Sequence, residues 1–121
     1  MAEKIINLNK STQIPITKPT YWNTSEIWSD GNKSYYIRQG NIVTVFIKKS
    51  NPGSGVFLTL PIGYRPVGGE IALGSNGNGA LAFVSFNTDG TITASSVSGV
   101  SYIWATGSFY TADPFPYSDL V

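Results

Sequence analysis

The chain has 121 residues and a mass of 13.0 kDa, a size at which one domain buries a hydrophobic core without metal ions or disulfides. Its net charge is +1, and charged residues make up only 12% of the chain. This balance excludes the strongly basic surface that binds nucleic acid or an anionic membrane. We therefore expect no nucleic-acid partner and no membrane insertion.

The absence of two residue types narrows the possible chemistry. The chain has no His and no Cys, which removes the common zinc, haem and iron–sulfur ligand sets and every Ser-His or Cys-His catalytic arrangement. No apolar run approaches the roughly 20 residues of a membrane span, and residues 1–10 lack the apolar centre of a signal peptide. We predict no metal ion, no cofactor and synthesis as a soluble protein.

The first twenty residues differ from the rest of the chain. Pro15 and Pro19 lie close together, and prolines at this spacing favour an extended segment over a helix. We predict that residues 1–20 form an extended amino-terminal arm or linker. Residues 21–121 are then the folded domain.

Short segments rich in β-branched and aromatic residues follow one another through this domain, separated by turn residues. Gly40-Asn41 is flanked by two such segments and is the strongest hairpin signal. A second hairpin is predicted around residues 87–90. Strands are predicted at residues 34–39, 42–49, 56–60, 70–73, 80–86, 91–97 and 101–110, and the spacing predicts an all-β fold, an antiparallel β-sandwich or jelly-roll-like domain.

Two of the predicted strands are apolar on both faces. In residues 42–47 and in residues 80–86, apolar side chains occupy both sets of alternating positions, so each strand has apolar side chains on both faces. A monomeric sandwich wets the outer face of each sheet, so these strands need a second cover. The amino-terminal arm or another subunit would each explain the pattern.

Residues 60–66, with the sequence LPIGYRP, form the most specific string in the chain. Gly63 permits a positive φ and the two prolines fix their own φ, so the string predicts a rigid corner after a strand. In one interpretation Tyr64 fills the edge of the core, with its hydroxyl hydrogen-bonded at the rim, and Arg65 lays its stem on apolar surface. In the other, Arg65 grips an anionic ligand.

The corner and its neighbours resemble a known family. LPIGYRP follows a Gly-Asn hairpin (YYIRQGNIVTVFI) and precedes a second hairpin (FVSFNTDGTI) and an aromatic strand ending in SFY. Over about residues 35–110 this arrangement resembles the carboxy-terminal head modules of bacteriophage tail-fibre and baseplate receptor-binding proteins. The resemblance implies a β-sandwich head, a homotrimer at the fibre tip, and binding to host cell-wall polysaccharide.

The same resemblance implies a location and further partners. Such a head is a virion protein of the phage tail tip, made in the host cytoplasm and released by lysis, and it contacts other tail or baseplate proteins. The chain is then either the tip of a longer fibre or a small tail protein of its own. The missing signal peptide and the missing cysteines agree with this role.

Saccharide recognition needs flat aromatic rings against the apolar face of a sugar, with fixed polar groups reaching its hydroxyls. Two clusters supply them: aromatic residues beside the Asp30-Gly31 turn, and Tyr102 with Trp104, which alternation places on one strand face opposite Ile103 and Ala105. For each cluster the alternative is packing in the core, under the arm or at a subunit contact. The predicted saccharide-binding residues are Trp28, Trp104, Tyr102, Asp30, Asn32 and Arg65.

Catalysis would have to rest on carboxylates, and the candidates are Glu26, Asp30, Glu70, Asp89 and Asp113. A glycosidase needs two carboxyl groups about 5 to 9.5 Å apart, one with a raised pKa. Asp30 and Asp89 each precede a glycine in a turn, and Asp113 before Pro114 is typical of a strand end, so these positions are explained without catalysis. We predict a binding protein without enzymatic activity. A structural tail or baseplate connector, whose apolar strands serve assembly, is the alternative.

Overall fold

The structure, a computed structural model, describes residues 14–22, 34–50, 55–75, 81–95 and 102–121. These residues form strands joined by turns, with one short 3₁₀ helix at Tyr117–Asp119, so the predicted all-β class is confirmed. The strands are β1 (Thr20–Tyr21), β2 (Tyr35–Gln39), β3 (Ile42–Ser50), β4 (Gly55–Thr59), β5 (Glu70–Ser75), β6 (Leu81–Phe86), β7 (Thr91–Ser95) and β8 (Tyr102–Tyr110).

The eight strands form one sheet with the order β1-β2-β3-β8-β5-β6-β7-β4, and every neighbouring pair is antiparallel. The two predicted hairpins, β2–β3 and β6–β7, are present. Gly40 takes a φ of +59° in the first turn, and Gly90 takes +91° in the second, a conformation that glycine adopts without strain. The turn glycines therefore set the register of both hairpins.

The sheet changes direction between β8 and β5. These strands share only two residue pairs, Gly74 with Ala105 and Ser75 with Trp104. A Cβ at Gly74 would overlap the carbonyl oxygen of Trp104 and lie 2.9 Å from the Cβ of Ala105. The missing side chain thus lets β5 cross closely against β8, and the halves β1-β2-β3-β8 and β5-β6-β7-β4 curl around one core.

The core lies on the inner face of this curled sheet. Alternation along each strand turns one set of side chains inward and the other outward, as the sequence predicts for half-buried strands. Phe86 of β6 fits against Gly107 of β8, where any Cβ would overlap its ring, and packs on Phe109 with 5.4 Å between ring centroids. The buried apolar side chains of the strands are Tyr36, Val43, Val45, Ile47, Leu58, Ala82, Val84, Phe86, Ile92, Ile103, Ala105 and Phe109.

The two outermost strands of the sheet meet. Trp22, directly after β1, donates a hydrogen bond from its indole Nε1 to the carbonyl oxygen of Thr59, the last residue of β4, at 3.0 Å. Its ring also meets Tyr36 edge-on, with 4.7 Å between centroids. Trp22 therefore packs within the fold, which is the alternative to saccharide binding for the aromatic residues near the Asp30 turn.

The described part of the predicted arm is extended and hydrogen-bonded into the fold. Thr17 is fully buried, and its backbone N–H donates to the carbonyl oxygen of Arg38 while its Oγ1 accepts from the Arg38 N–H. On the other side, Thr17 pairs with Leu120, and the N–H of Val121 donates to Ile16. Residues 14–22 therefore lie between β2 and the carboxy-terminal residues.

The predicted corner follows β4. Gly63 has a φ of +109°, and Tyr64 is only 1% exposed, with its hydroxyl donating to Asp119 Oδ2 at 2.8 Å. The packing role predicted for Tyr64 is thus confirmed. Burial raises the pKa of Tyr64, although the hydrogen bond with Thr17 acts in the opposite direction.

A buried cation holds the turns together beside this corner. Arg38 is 2% exposed, and its Nε donates to the Gly40 carbonyl at 2.7 Å while Nη1 donates to the carbonyls of Gly63 at 2.7 Å and Pro114 at 3.1 Å. The guanidinium also lies 5.0 Å from the centroid of Phe115. Sequence reasoning did not single out Arg38, because its partners are carbonyls from distant segments that carry no side-chain signal.

Candidate functional site

The outer face of β8 carries the predicted aromatic pair. Ile103 and Ala105 are buried, whereas Trp104 is 43% exposed, so the predicted division of this strand into core and outer faces is confirmed. The rings of Tyr102 and Trp104 lie 5.1 Å apart between centroids, tilted by 39°. The pair forms one aromatic surface on the outside of the sheet.

Trp104 lies at the side of an open groove of about 570 Å³. The groove runs across the outer faces of β3, β8, β5 and β6, and its position follows from the β8–β5 crossing at Gly74. Its outward side chains combine apolar and polar groups, which is the composition of many ligand sites. They come from Phe46, Lys48, Leu73, Ser75, Leu81, Trp104 and Thr106.

An aromatic band continues from the groove across the neighbouring strands. Phe46 in the groove stacks on Tyr35 of β2, with 4.6 Å between centroids and 21° between ring planes. Tyr35 in turn lies 5.2 Å from Tyr21 of β1, which is 53% exposed. Because Tyr21, Tyr35 and Phe46 are matched by strand register, their rings line up across the strands.

Lys48 adds a positive charge to the groove. It pairs with Trp104 across β3 and β8, and its Nζ lies 4.9 Å from the centroid of the Trp104 ring. This cation–π contact places the ammonium beside the indole ring.

Three of the predicted site residues, Trp28, Asp30 and Asn32, lie outside the described residues. Ser34, the first described residue after them, exchanges hydrogen bonds with the backbone of Lys48 at 2.9 and 3.0 Å. Lys48 is the strand partner of Trp104. The described chain thus resumes at the same end of the sheet as the aromatic pair.

Arg65 lies at the other end. Its Nε and Nη2 donate to Asp113 at 3.0 and 2.9 Å, and Asp113 follows the last residue of β8, Tyr110. Trp104 and Tyr110 lie six strand positions apart, or about 20 Å at the usual rise. The structure therefore brings Tyr102 and Trp104 together and places Arg65 apart from them, paired with a carboxylate.

Two of the described carboxylates that the sequence offers for catalysis, Asp89 and Asp113, are engaged in turns. Asp89 accepts hydrogen bonds from the N–H and Oγ1 of Thr91, and these bonds lower its pKa. Hydrogen bonds from Arg65 hold the pKa of Asp113 at about 2, although burial acts in the opposite direction. Both shifts are opposite to the raised pKa that a glycosidase acid requires.

The residues that the structure describes hold no group of three or more Asp, Glu, His or Cys side chains placed to bind a metal ion. No helix among them has the length and apolar character of a membrane span.

Sequence reasoning found the aromatic pair but missed the residues around it. Phe46 and Lys48 are two positions apart and therefore lie on the same face of β3, and this pattern is visible in the sequence. Their contact with Trp104 depends on the β3–β8 register, and the contribution of Leu73 depends on the β5–β8 crossing. No local signal predicts either pairing.

The chain was compared with known protein families, with curated proteins and with solved structures, and none of them matches it.

Proposed function

We propose that the chain is the head of a bacteriophage tail receptor-binding protein and that it binds host cell-surface polysaccharide without cleaving it. The observation that carries the proposal is the exposed Trp104, held against Tyr102 and Lys48 at the side of a groove of about 570 Å³. Aromatic rings stack on the apolar faces of pyranoses, and adjacent polar side chains bind their hydroxyls.

The polar groups beside the ring suit this ligand. Ser75 and Thr106 line the groove with hydroxyls, and the Lys48 ammonium is a donor. The aromatic band from Phe46 to Tyr21 supplies further stacking surface across the strands. An extended polysaccharide can use such a band, whereas a single sugar would cover one ring.

One shallow site of this kind binds in the millimolar to micromolar range, about 4 to 8 kcal/mol. Attachment of a virion then depends on several heads that engage a repetitive surface at the same time. In this proposal the head is a homotrimer at the tail tip, made in the host cytoplasm and joined to other tail or baseplate proteins. The trimer follows from the resemblance.

The second candidate is a structural tail or baseplate connector. It is favoured by Leu73 and Leu81, which are 57% and 62% exposed beside the groove and could serve assembly. Catalysis by carboxylates ranks below both candidates, because Asp89 and Asp113 have lowered pKa values and hold turns.

One assay separates the three classes. Purified protein is incubated with cell-wall polysaccharide from candidate host bacteria, and retained polysaccharide and released reducing ends are both measured. Retention without release supports the adhesin, release indicates an enzyme, and neither across the host panel indicates a connector.

A matched pair of variants locates the site. Trp104→Ala removes the groove aromatic, and Tyr110→Ala removes an aromatic residue that is 69% exposed on the same face at the other end of β8. We expect Trp104→Ala to lose retention by about tenfold or more and Tyr110→Ala to bind as the parent does. If folded Trp104→Ala binds as well as the parent, the saccharide site is not in the groove.

A further inference from the structure

Beyond the crossing at Gly74, strands β5 and β8 separate. The last residue pair of the crossing joins Gly74 to Ala105, and the chain meets β8 again where the Val67 N–H donates to the Tyr110 carbonyl at 2.9 Å. Between these two points the described residues of the two sides form no further pair. We call this opening the β5–β8 seam.

Backbone groups of both strands point into the seam. Successive residues of a strand turn their N–H and C=O groups to opposite sides, and the Tyr110 carbonyl faces the β5 side, where it accepts the bond that closes the seam. Ser108, two positions earlier, therefore turns its N–H and C=O to the same side. Ser75 pairs with Trp104, so alternation along β5 turns the N–H and C=O of Ile71 towards β8. These four groups have no hydrogen-bond partner in the described part of the chain.

A pocket of about 190 Å³ lies in the seam. Ile71 and Ser108 are among the residues that line it, and its accessible wall is mainly polar although Phe86 and several side chains of β5 there are apolar. This agrees with backbone groups at the surface of the pocket. The volume is below the roughly 300–1,000 Å³ of pockets that enclose a whole drug-sized ligand. The pocket therefore suits one substituent of a larger ligand.

We propose that the seam pocket binds the acetamido group of an N-acetylated amino sugar in the polysaccharide that binds Trp104. This inference rests on the proposed function and deepens it, because it names the class of sugar that the groove recognises. The observation that carries it is the set of unpaired backbone donors and acceptors of Ile71 and Ser108, which the register of the crossing places opposite each other.

The pocket and the groove adjoin each other. Leu73 and Thr106 line both of them. Ser108 lies four strand positions from Trp104, or about 13 Å at the usual rise. The acetamido group is therefore carried by a different sugar of the chain from the one that stacks on Trp104.

An amide fits the seam better than other common substituents of sugars. It has one N–H donor and one C=O acceptor, as a backbone peptide has, so it pairs with the N–H and C=O of one wall as an adjacent strand does. A hydroxyl has one polar atom in place of two and spans these groups less well. Among the described residues that line the pocket only Glu70 is charged, and its negative charge disfavours a carboxylate or phosphate. The Phe86 ring offers the methyl group an apolar contact.

A peptide strand is the other ligand that would use backbone groups. Strand addition needs an exposed edge along which an extended peptide can lie. The seam is closed at both ends, by the Gly74–Ala105 pair and by the Val67–Tyr110 bond, which lie about 17 Å apart at the usual rise. A short substituent enters such an opening from the outer face, whereas a continuous strand does not pass through it.

The test uses the isotope-labelled full chain and two soluble probes. The probes are the tetramer of N-acetylglucosamine and the glucose tetramer of the same linkage, which differ only in the acetamido groups. NMR measures the binding of each probe and the backbone amide signals of Ile71 and Ser108. We expect the N-acetylglucosamine tetramer to shift both signals and to bind about tenfold more tightly, the gain from two hydrogen bonds of ordinary strength.

Two matched variants locate the group. Ser108→Leu covers the seam from β8, and Thr44→Leu introduces the same side chain at the hydroxyl that Ser108 contacts at 2.9 Å on β3, one strand away from the seam. We expect Ser108→Leu to bind the two tetramers equally and Thr44→Leu to keep the preference. Circular dichroism checks folding, and Ile71→Trp, which covers the seam from β5, replaces Ser108→Leu if that variant is unfolded.

Equal binding of the two tetramers by the parent, or unshifted signals of Ile71 and Ser108, would overturn the proposal and indicate a pocket that holds water only. A preference kept in Ser108→Leu, or lost in Thr44→Leu as well, would also overturn it. Retention of cell-wall polysaccharide separates this inference from the proposed function. If the signals shift but no polysaccharide is retained, the function fails and the acetamido site stands; retained polysaccharide without shifted signals has the opposite meaning.

Discussion

The Asp113 carboxylate accepts hydrogen bonds from both the side chain and the backbone of Arg65, although the two residues lie 48 positions apart. Oδ2 accepts hydrogen bonds from the backbone N–H and the Nε of Arg65, both at 3.0 Å, while Oδ1 accepts from Nη2 at 2.9 Å. The N–H of Gly63 adds a fourth bond at 2.9 Å. One carboxylate thus joins the corner of residues 60–66 to the segment after β8.

Replacing Asp113 by Asn should destabilise the protein. The amide keeps the shape but loses the charge and replaces one acceptor by an NH2 group, so the hydrogen bonds to one of the two oxygens are lost. We expect the free energy of unfolding to fall by about 1–3 kcal/mol, measured by urea denaturation. Arg65→Lys should lose less, because the backbone bonds to Asp113 remain. An unchanged urea midpoint in Asp113→Asn would contradict this interpretation of the corner.

The Asp113 carboxylate should also make the free energy of unfolding depend on pH in the acid range. Its pKa is about 2 in the folded protein and 3.8 ordinarily, mainly because of the hydrogen bonds from Arg65. Because the pKa is lower in the folded state, the carboxylate stabilises the fold at pH values above its ordinary pKa. This stability is lost as pH falls from about 4 to 2. Urea titrations across this range should show a steeper loss for the parent than for Asp113→Asn. Equal slopes would refute the coupling.

An alkaline transition is expected from the buried tyrosines. Burial raises the pKa of Tyr36 to about 12, and the neighbouring Tyr64 and Asp119 act in the same direction. Because the ordinary value is 10, stability is complete below pH 10 and is lost as pH rises towards 12. Tyr36→Phe should reduce this alkaline loss, as measured by tyrosinate absorbance and circular dichroism. Tyr110→Phe, at an exposed position, serves as the control and should lose stability at alkaline pH as the parent does.

The contact between Gly107 and Phe86 should not tolerate a methyl group. A Cβ at Gly107 would overlap the Phe86 ring, so Gly107→Ala should cost about 1–3 kcal/mol of unfolding free energy. Gly68→Ala is the control, since a Cβ there has no neighbour within 4 Å. Phe86→Leu should be less damaging in the Gly107→Ala background than alone, which a double-mutant cycle in urea measures. Additive effects would show that the two positions are independent.

Local patterns in the sequence predicted the strands well because turn residues and alternation act over a few positions. Gly40-Asn41 fixed one hairpin, the turn ending in Gly90 fixed the other, and the strand bounds agree within a few residues. The order of strands could not be predicted in this way. β8 pairs with β3 and β5, whose residues lie far away in the chain, and no local rule selects these partners.

The same limit applies to the candidate site. Alternation correctly divided Trp104 from Ile103, because neighbouring residues of a strand face opposite sides. The position of Lys48 over the Trp104 ring needed the strand register. Pro114 directly after Asp113 predicts a strand end, whereas the hydrogen bonds of Asp113 with Arg65 have no signal in the sequence around either residue.

The hydrogen bond between Trp22 and Thr59 has a consequence for folding kinetics. It joins the first and last strands of the sheet order, so it can form only after both halves have assembled. Pairings such as β3 with β8 already require long loops to close, and folds with this high contact order take milliseconds to seconds. We expect the fluorescence of Trp22 to report a late step of refolding, after the hairpins have formed.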